Sequence, residues 1–159
     1  MKLCPLIFLL PTLIWGRAPF TTIGPMFHLN FGEGKPAFSI ALEWAYWSYP
    51  TPYQPMSVEG PTYGIPDGMG YGFDAGVEWE IRGRKSKFRF YTEPQVGWEG
   101  VRGLALGPVV EIPLESKPMA FGIQGSGWFL WADLRLRYID DNAFFSPGLF
   151  VKFSGDNPN

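Results

Sequence analysis

The 159-residue chain has a single cysteine, Cys4, and a single histidine, His28. One cysteine excludes an internal disulfide framework, and one histidine without a second cysteine is a poor start for a metal centre. Neither a metal nor a cofactor is expected. The charge balance is also featureless: 13 basic against 15 acidic residues leave −2. That gives no basic footprint, so nucleic acid is not an expected partner. No apolar run reaches the roughly 18 residues of a membrane helix. Helix-compatible composition is missing as well, because 20 glycines and 16 prolines would break a bundle repeatedly. Yet 46% of the residues are hydrophobic, too many for a disordered chain.

What the chain does have begins at its N-terminus. Lys2 precedes the apolar run Leu3 to Trp15, and Gly16 stands before Arg17. This reads as a secretory signal peptide over residues 1–16, whose removal takes Cys4 with it. The expected organisation is then a signal peptide at 1–16, a barrel over 17–153 and a C-terminal tail at 154–159.

The rest counts in twos. Strands are expected at 24–31, 37–48, 69–81, 87–98, 103–114, 118–126, 129–139 and 143–153. In the third, Tyr71, Phe73, Val77, Trp79 and Ile81 alternate with Gly70, Gly72, Asp74, Glu78 and Glu80. Successive side chains of a strand face opposite ways, so each strand has one apolar and one polar face. Apart from the long 49–68 connection, the links are too short for parallel crossovers, so neighbours are antiparallel. Gly32-Glu33-Gly34-Lys35-Pro36, Arg82-Gly83-Arg84-Lys85-Ser86 and Asp140-Asp141-Asn142 supply turn chemistry. The fold class is all-β, a single antiparallel up-and-down barrel of eight strands.

Volume decides which face is inside. An eight-stranded lumen is only just filled by ordinary side chains, and the apolar face carries too many Phe, Trp, Leu and Ile to fit. The polar face, rich in Gly, Ala and Ser, suits a narrow interior. A water-facing exterior should carry many lysines, yet the expected strands hold only Lys87 and Lys152. The apolar face is therefore expected outward, against lipid. Strands of about 11 residues match the 9–11 of a tilted transmembrane strand. Trp44, Tyr46, Tyr71, Trp98 and Trp128 fall near one rim, and Trp79, Phe88, Tyr138, Phe144 and Phe145 near the other, as interfacial belts would.

In this pattern the chain resembles the small bacterial outer-membrane β-barrel proteins of the OmpA/OmpX-like group. Ser146-Pro147-Gly148-Leu149-Phe150-Val151-Lys152-Phe153 is similar to their terminal assembly signal. The resemblance implies a bacterial outer-membrane location, outer-membrane lipid around the wall and the barrel-assembly machinery as a partner during biogenesis. With both termini in the periplasm, the 49–68 connection would face the periplasm too. Its five prolines, with Tyr53 and Tyr63, make it stiff and adhesive, open to a passive or a binding role.

The polar face collects Glu43, Asp74, Glu78, Glu80, Glu93, Glu111 and Asp133 with Lys87, Arg89, Arg135, Arg137 and Lys152. Buried charges must be paired, so an interior charge network is expected, with no open pore. His28 shares that face between Met26 and Asn30. Outer-membrane lipid deacylases resemble the chain in size but pair their histidine with a nearby serine, which His28-Leu29-Asn30 lacks. No catalytic residue is assigned.

Pro94 and Pro108 lie inside expected strands although proline cannot donate to a ladder. A symmetric 99–102 turn would set Pro94 beside Gly107 and Pro108 beside Glu93. A lateral seam is expected there, similar to the proline-interrupted walls of outer-membrane palmitoyl transferases. Three functions follow: a barrel with a structural, adhesive or interaction role; a lipid-modifying enzyme with lateral access near Pro94/Pro108; or a secreted soluble barrel for a small apolar ligand. The first is preferred.

Overall fold

A computed structural model describes residues 18–32, 34–49, 69–98 and 102–155. The strands are β1 (Ala18–Asn30), β2 (Ala37–Tyr49), β3 (Met69–Ile81), β4 (Lys87–Trp98), β5 (Arg102–Pro113), β6 (Ala120–Phe129), β7 (Ala132–Ile139), β8 (Asn142–Phe150) and β9 (Phe153–Gly155). From β1 to β8 each pairs antiparallel with its sequence neighbour, and β1 pairs with both β2 and β8, so the sheet closes. β9 continues β8 along β1 in one register, from Phe31↔Phe145 through His28↔Gly148 to Thr21↔Gly155. The wall is therefore eight strands round. Among the described residues there is no α-helix, only a 3-10 turn at Gly83–Lys85. The expected signal peptide and nearly all of the 49–68 connection lie outside the described residues.

Some boundaries differ from the sequence reading. β1 begins at Ala18, and β9 runs into residues expected as tail. The β6–β7 turn falls at Leu130–Trp131 rather than at 127–128. Leu130 adopts φ 55°, a conformation that glycine takes without strain, so this turn carried no composition signal. Asp140 (φ 48°) and Asp141 (φ 62°) form the other two-residue turn, where aspartate tolerates the left-handed region.

Leu106, Phe121, Ile123 and Leu136 are 58–68% exposed on the outside, whereas Glu78, Arg89 and Glu93 are fully buried inside. Eleven of the twelve expected interior charges are at most 7% exposed, and Lys152 is half-buried. Two aromatics depart from the belts. Trp128 packs inward on Ala45 and Trp47, its ring 5.5 Å from that of Trp47. Phe144 is also inside, 3% exposed, under the Lys87 ammonium and the Arg89 guanidinium. Parity explains both: each stands an even number of residues from an inward neighbour, Ser126 or Ser146.

Four of the strand prolines, Pro25, Pro94, Pro108 and Pro147, mark two opposite lines in the wall. Between Tyr91↔Val109 and Gln95↔Ala105 the β4–β5 ladder has no pairs. The register there is one residue from that of a symmetric turn, so Pro94 stands opposite Leu106 and Pro108 opposite Thr92. Four strands away, the β8–β1 ladder stops at Leu29–Asn30 against Ser146–Pro147, and again at Gly24–Pro25 against Val151–Lys152. Every one of these prolines keeps its pairing on the other side. Each therefore withholds an N–H from one neighbour only. In both lines a Gly-Pro step brings the backbones close. A Cβ on Gly24 would stand 1.8 Å from the Val151 carbonyl oxygen, and one on Gly107 2.0 Å from that of Thr92.

Candidate functional site in the barrel interior

The interior is built from rungs in which a glycine separates two polar side chains. Glu43, Gly76 and Tyr91 form one rung across β2, β3 and β4, and the Tyr91 hydroxyl donates to Glu43 Oε2 at 2.9 Å. A Cβ on Gly76 would meet the Tyr91 hydroxyl at 2.2 Å, so only glycine leaves that bond its space. Asp133, Gly148 and His28 repeat the device across β7, β8 and β1. His28 Nε2 donates to Asp133 Oδ2 at 2.7 Å, over a glycine whose Cβ would strike the imidazole at 2.2 Å. Gln124 likewise reaches over Gly107, donating to Glu93 Oε2 at 2.9 Å.

Two charge clusters fill the lumen. Toward the end that carries the 83–85 turn, Arg89 donates to Glu78 at 2.7 Å, Glu80 at 2.6 Å and Glu111 at 2.9 Å. Lys87 adds a 3.0 Å pair to Glu111, and Arg137 pairs with Glu78. Asn30 donates to Glu80 at 3.0 Å and to Ser39 at 3.1 Å. Arg82, half-buried at the rim, adds a 3.1 Å pair to Glu80, so three acids meet four bases here, all but Arg82 buried. Toward the other end Arg135 donates to Asp133 at 2.7 Å and Glu43 at 2.6 Å, with its guanidinium 4.5 Å from the Tyr91 ring centre. Lys152 reaches Glu43 at 2.5 Å.

Asp74 and Glu93 stand opposite one another on β3 and β4 in this second cluster. Among the described residues neither forms an ion pair, and Asp74 Oδ1 and Glu93 Oε1 lack hydrogen-bond partners. Asp74 borders a cavity of about 10 Å³, whose lining also includes Met26, Glu43, Asp133, Arg135 and Lys152. That is room for about one water, which would meet an acceptor on Asp74 and a donor on Arg135 Nη1, itself without a partner.

All twelve expected interior charges, Glu43 to Lys152, therefore face the lumen, and all but Asp74 and Glu93 take part in ion pairs. Pro94 and Pro108 lie outside, exposed. Sequence reasoning missed the His28–Asp133 pair, Tyr91 and Gln124. Parity could have found the last two: Tyr91 shares its face with Arg89 and Glu93, and Gln124 with Ser126.

No known protein family, characterised protein or solved structure matches this chain. Chemistry must therefore be read from the interior itself. Among the described residues no three His, Cys, Asp or Glu side chains converge as metal ligands. His28 is held by Asp133, with Nδ1 unpartnered and 3.9 Å from Glu78 Oε2. No serine, threonine or cysteine among the described residues hydrogen-bonds to it, so the pair lacks the nucleophile of an acyl-transfer site. What the interior does is tie strands together from within, across distances the backbone ladder does not span.

Proposed function

We propose that the protein is a small outer-membrane β-barrel of a bacterium, exported by its N-terminal segment, with a structural, adhesive or interaction role. One observation carries this reading: the fully buried ionic interior inside a wall of exposed Leu, Ile, Phe and Trp. In water that arrangement exposes its apolar surface and buries its charges; in hydrocarbon it satisfies both. Exposed Trp44, Tyr71, Trp79, Tyr138 and Phe145 lie toward the strand ends, which supports interfacial belts. The likeness to the OmpA/OmpX-like group is one of pattern, and the assembly machinery is proposed as a partner on that basis.

The test is fractionation of cells that express the full chain, with gel mobility compared before and after boiling. Recovery with outer membranes and a heat-dependent mobility shift support the reading. A freely soluble protein with one mobility overturns it. A lipid-modifying activity is the second reading, favoured by the interrupted wall at Pro94 and Pro108. It is weakened by the lack of a nucleophile at His28, and phospholipid turnover in vesicles separates the two. The soluble apolar-ligand reading finds no support in a lumen lined by charges.

A further inference from the structure

The two tightest turns of the barrel have opposite chemistry. Asp140-Asp141 closes the β7–β8 hairpin with two exposed carboxylates, whereas Leu130-Trp131 closes the β6–β7 hairpin at the other end. Phe129, Leu130 and Trp131 are 49–64% exposed. Leu130 holds φ 55°, which glycine or asparagine would hold with less strain, so its apolar side chain is kept against the preference of the backbone. β6 and β7 present no charge outward, since Asp133, Arg135 and Arg137 are all buried. The Trp131 carbonyl is bonded within the protein, accepting from the Phe150 amide at 2.9 Å. The wall is also lowest here. β7 has 8 residues, whereas β3, four strands away on the opposite side, has 13. At about 3.3 Å per residue and a tilt of about 40°, β7 climbs about 20 Å and β3 about 33 Å, against an apolar band about 25 Å tall.

We propose that the β6–β7 tip ends inside the bilayer, with Leu130 among acyl chains and Trp131 at the boundary between acyl chains and headgroups, in the leaflet at the end of the barrel that carries Ala18 and Gly155. This rests on the membrane reading above. Asp140 and Asp141 hold the far end of β7 in water, because carboxylates are too costly in hydrocarbon. A strand of 8 residues that starts there does not clear the apolar band, so its turn falls where lipid is the solvent. In that solvent an apolar turn is favoured and a polar one penalised, the reverse of a hairpin in water. A turn in lipid also needs its backbone groups bonded within the protein, as Phe150 does for Trp131. Tryptophan suits the boundary, since its ring is apolar and its indole N–H can donate to a headgroup. Phe129 continues the exposed surface of Leu134 and Leu136, so the lipid that covers the wall also covers the tip. The edge of the bilayer therefore dips on the β7 side.

Fluorescence quenching tests this with the full chain inserted into phosphatidylcholine vesicles. The Trp131 emission is the difference between the unaltered chain and Trp131→Phe. Most of it should be lost to phosphatidylcholine brominated near the top of its acyl chains, and little of it to iodide in the buffer. Loss to iodide alone, or equal loss to both, puts the tip in water. Loss to neither puts it under a second copy of the chain. Each of these results overturns the proposal. Leu130→Asn gives a second, independent reading, because it relieves the backbone while making the turn polar. In a turn facing water the urea midpoint should rise; at a tip seated in lipid it should fall. A raised or unchanged midpoint overturns the proposal. If brominated lipid quenches the other tryptophans but not Trp131, the tip is lost and the membrane reading stands; if it quenches none, both fall.

Discussion

At the scale of single residues, the interior is organised by what glycine omits. Gly148→Ala puts a methyl group where the His28 ring lies, so the imidazole must leave Asp133. Removing a buried charge-assisted bond while leaving its carboxylate in place costs about 1.5–3 kcal/mol. The expected outcome is a lower urea midpoint together with a shifted His28 ring resonance. Arg135→Ala should cost more, about 3–5 kcal/mol, because it strips the buried Glu43 and Asp133 of a shared cation. Lys85→Ala, at an exposed turn, should leave the midpoint unchanged, and equal midpoints for these two variants would contradict the network. Much of this was readable in advance. The alternation that placed Arg135 and Arg137 opposite Leu134 and Leu136 needed only a period of two. The His28–Asp133 bond was not readable, since it joins positions 105 apart and exists only when two ladders hold their registers together.

At the scale of elements, the interrupted β4–β5 pairing makes a sharper forecast than proline content alone. Backbone groups of alternate residues point toward the same neighbour, and those of Pro94 and Pro108 point at the gap. Thr92 and Leu106 stand opposite these prolines, so their amides should exchange faster than those of Val77 and Leu136 on unbroken ladders. Hydrogen exchange read residue by residue checks this, and uniform protection would show the line to be sealed. The expected register is one residue off because a symmetric 99–102 turn leaves Arg102 in the turn, whereas Arg102 opens β5 opposite Trp98. The misplaced β6–β7 turn has a different cause. The expected turn at 127–128 rests on Gly127, but that glycine serves the outer face of β6, while the real turn uses Leu130 at a backbone angle that disfavours it. Asp140-Asp141, with conventional turn residues, was placed correctly.

At the scale of the whole molecule, the two ends differ. One carries Ala18, Gly155 and the boundaries of the 50–68 connection; the other carries the polar hairpins at 31–36, 82–86, 114–119 and 140–141. If the first end faces the periplasm, trypsin added to intact cells should cut after Lys85, in the exposed 83–85 turn, and spare the C-terminal end. Cleavage confined to the C-terminal end would mean the barrel is inserted the other way up. The lumen also carries a lesson for how such a chain could change over generations. In a rung such as Glu43–Gly76–Tyr91 the middle position has no side chain, yet it decides whether the outer two can meet. A substitution at Gly76 is therefore felt as a loss at two other strands, and a substitution at Tyr91 frees Gly76 to drift. Descendants of this sequence should therefore vary such a glycine only where its flanking partners have already changed, while the apolar residues of the outer face wander singly.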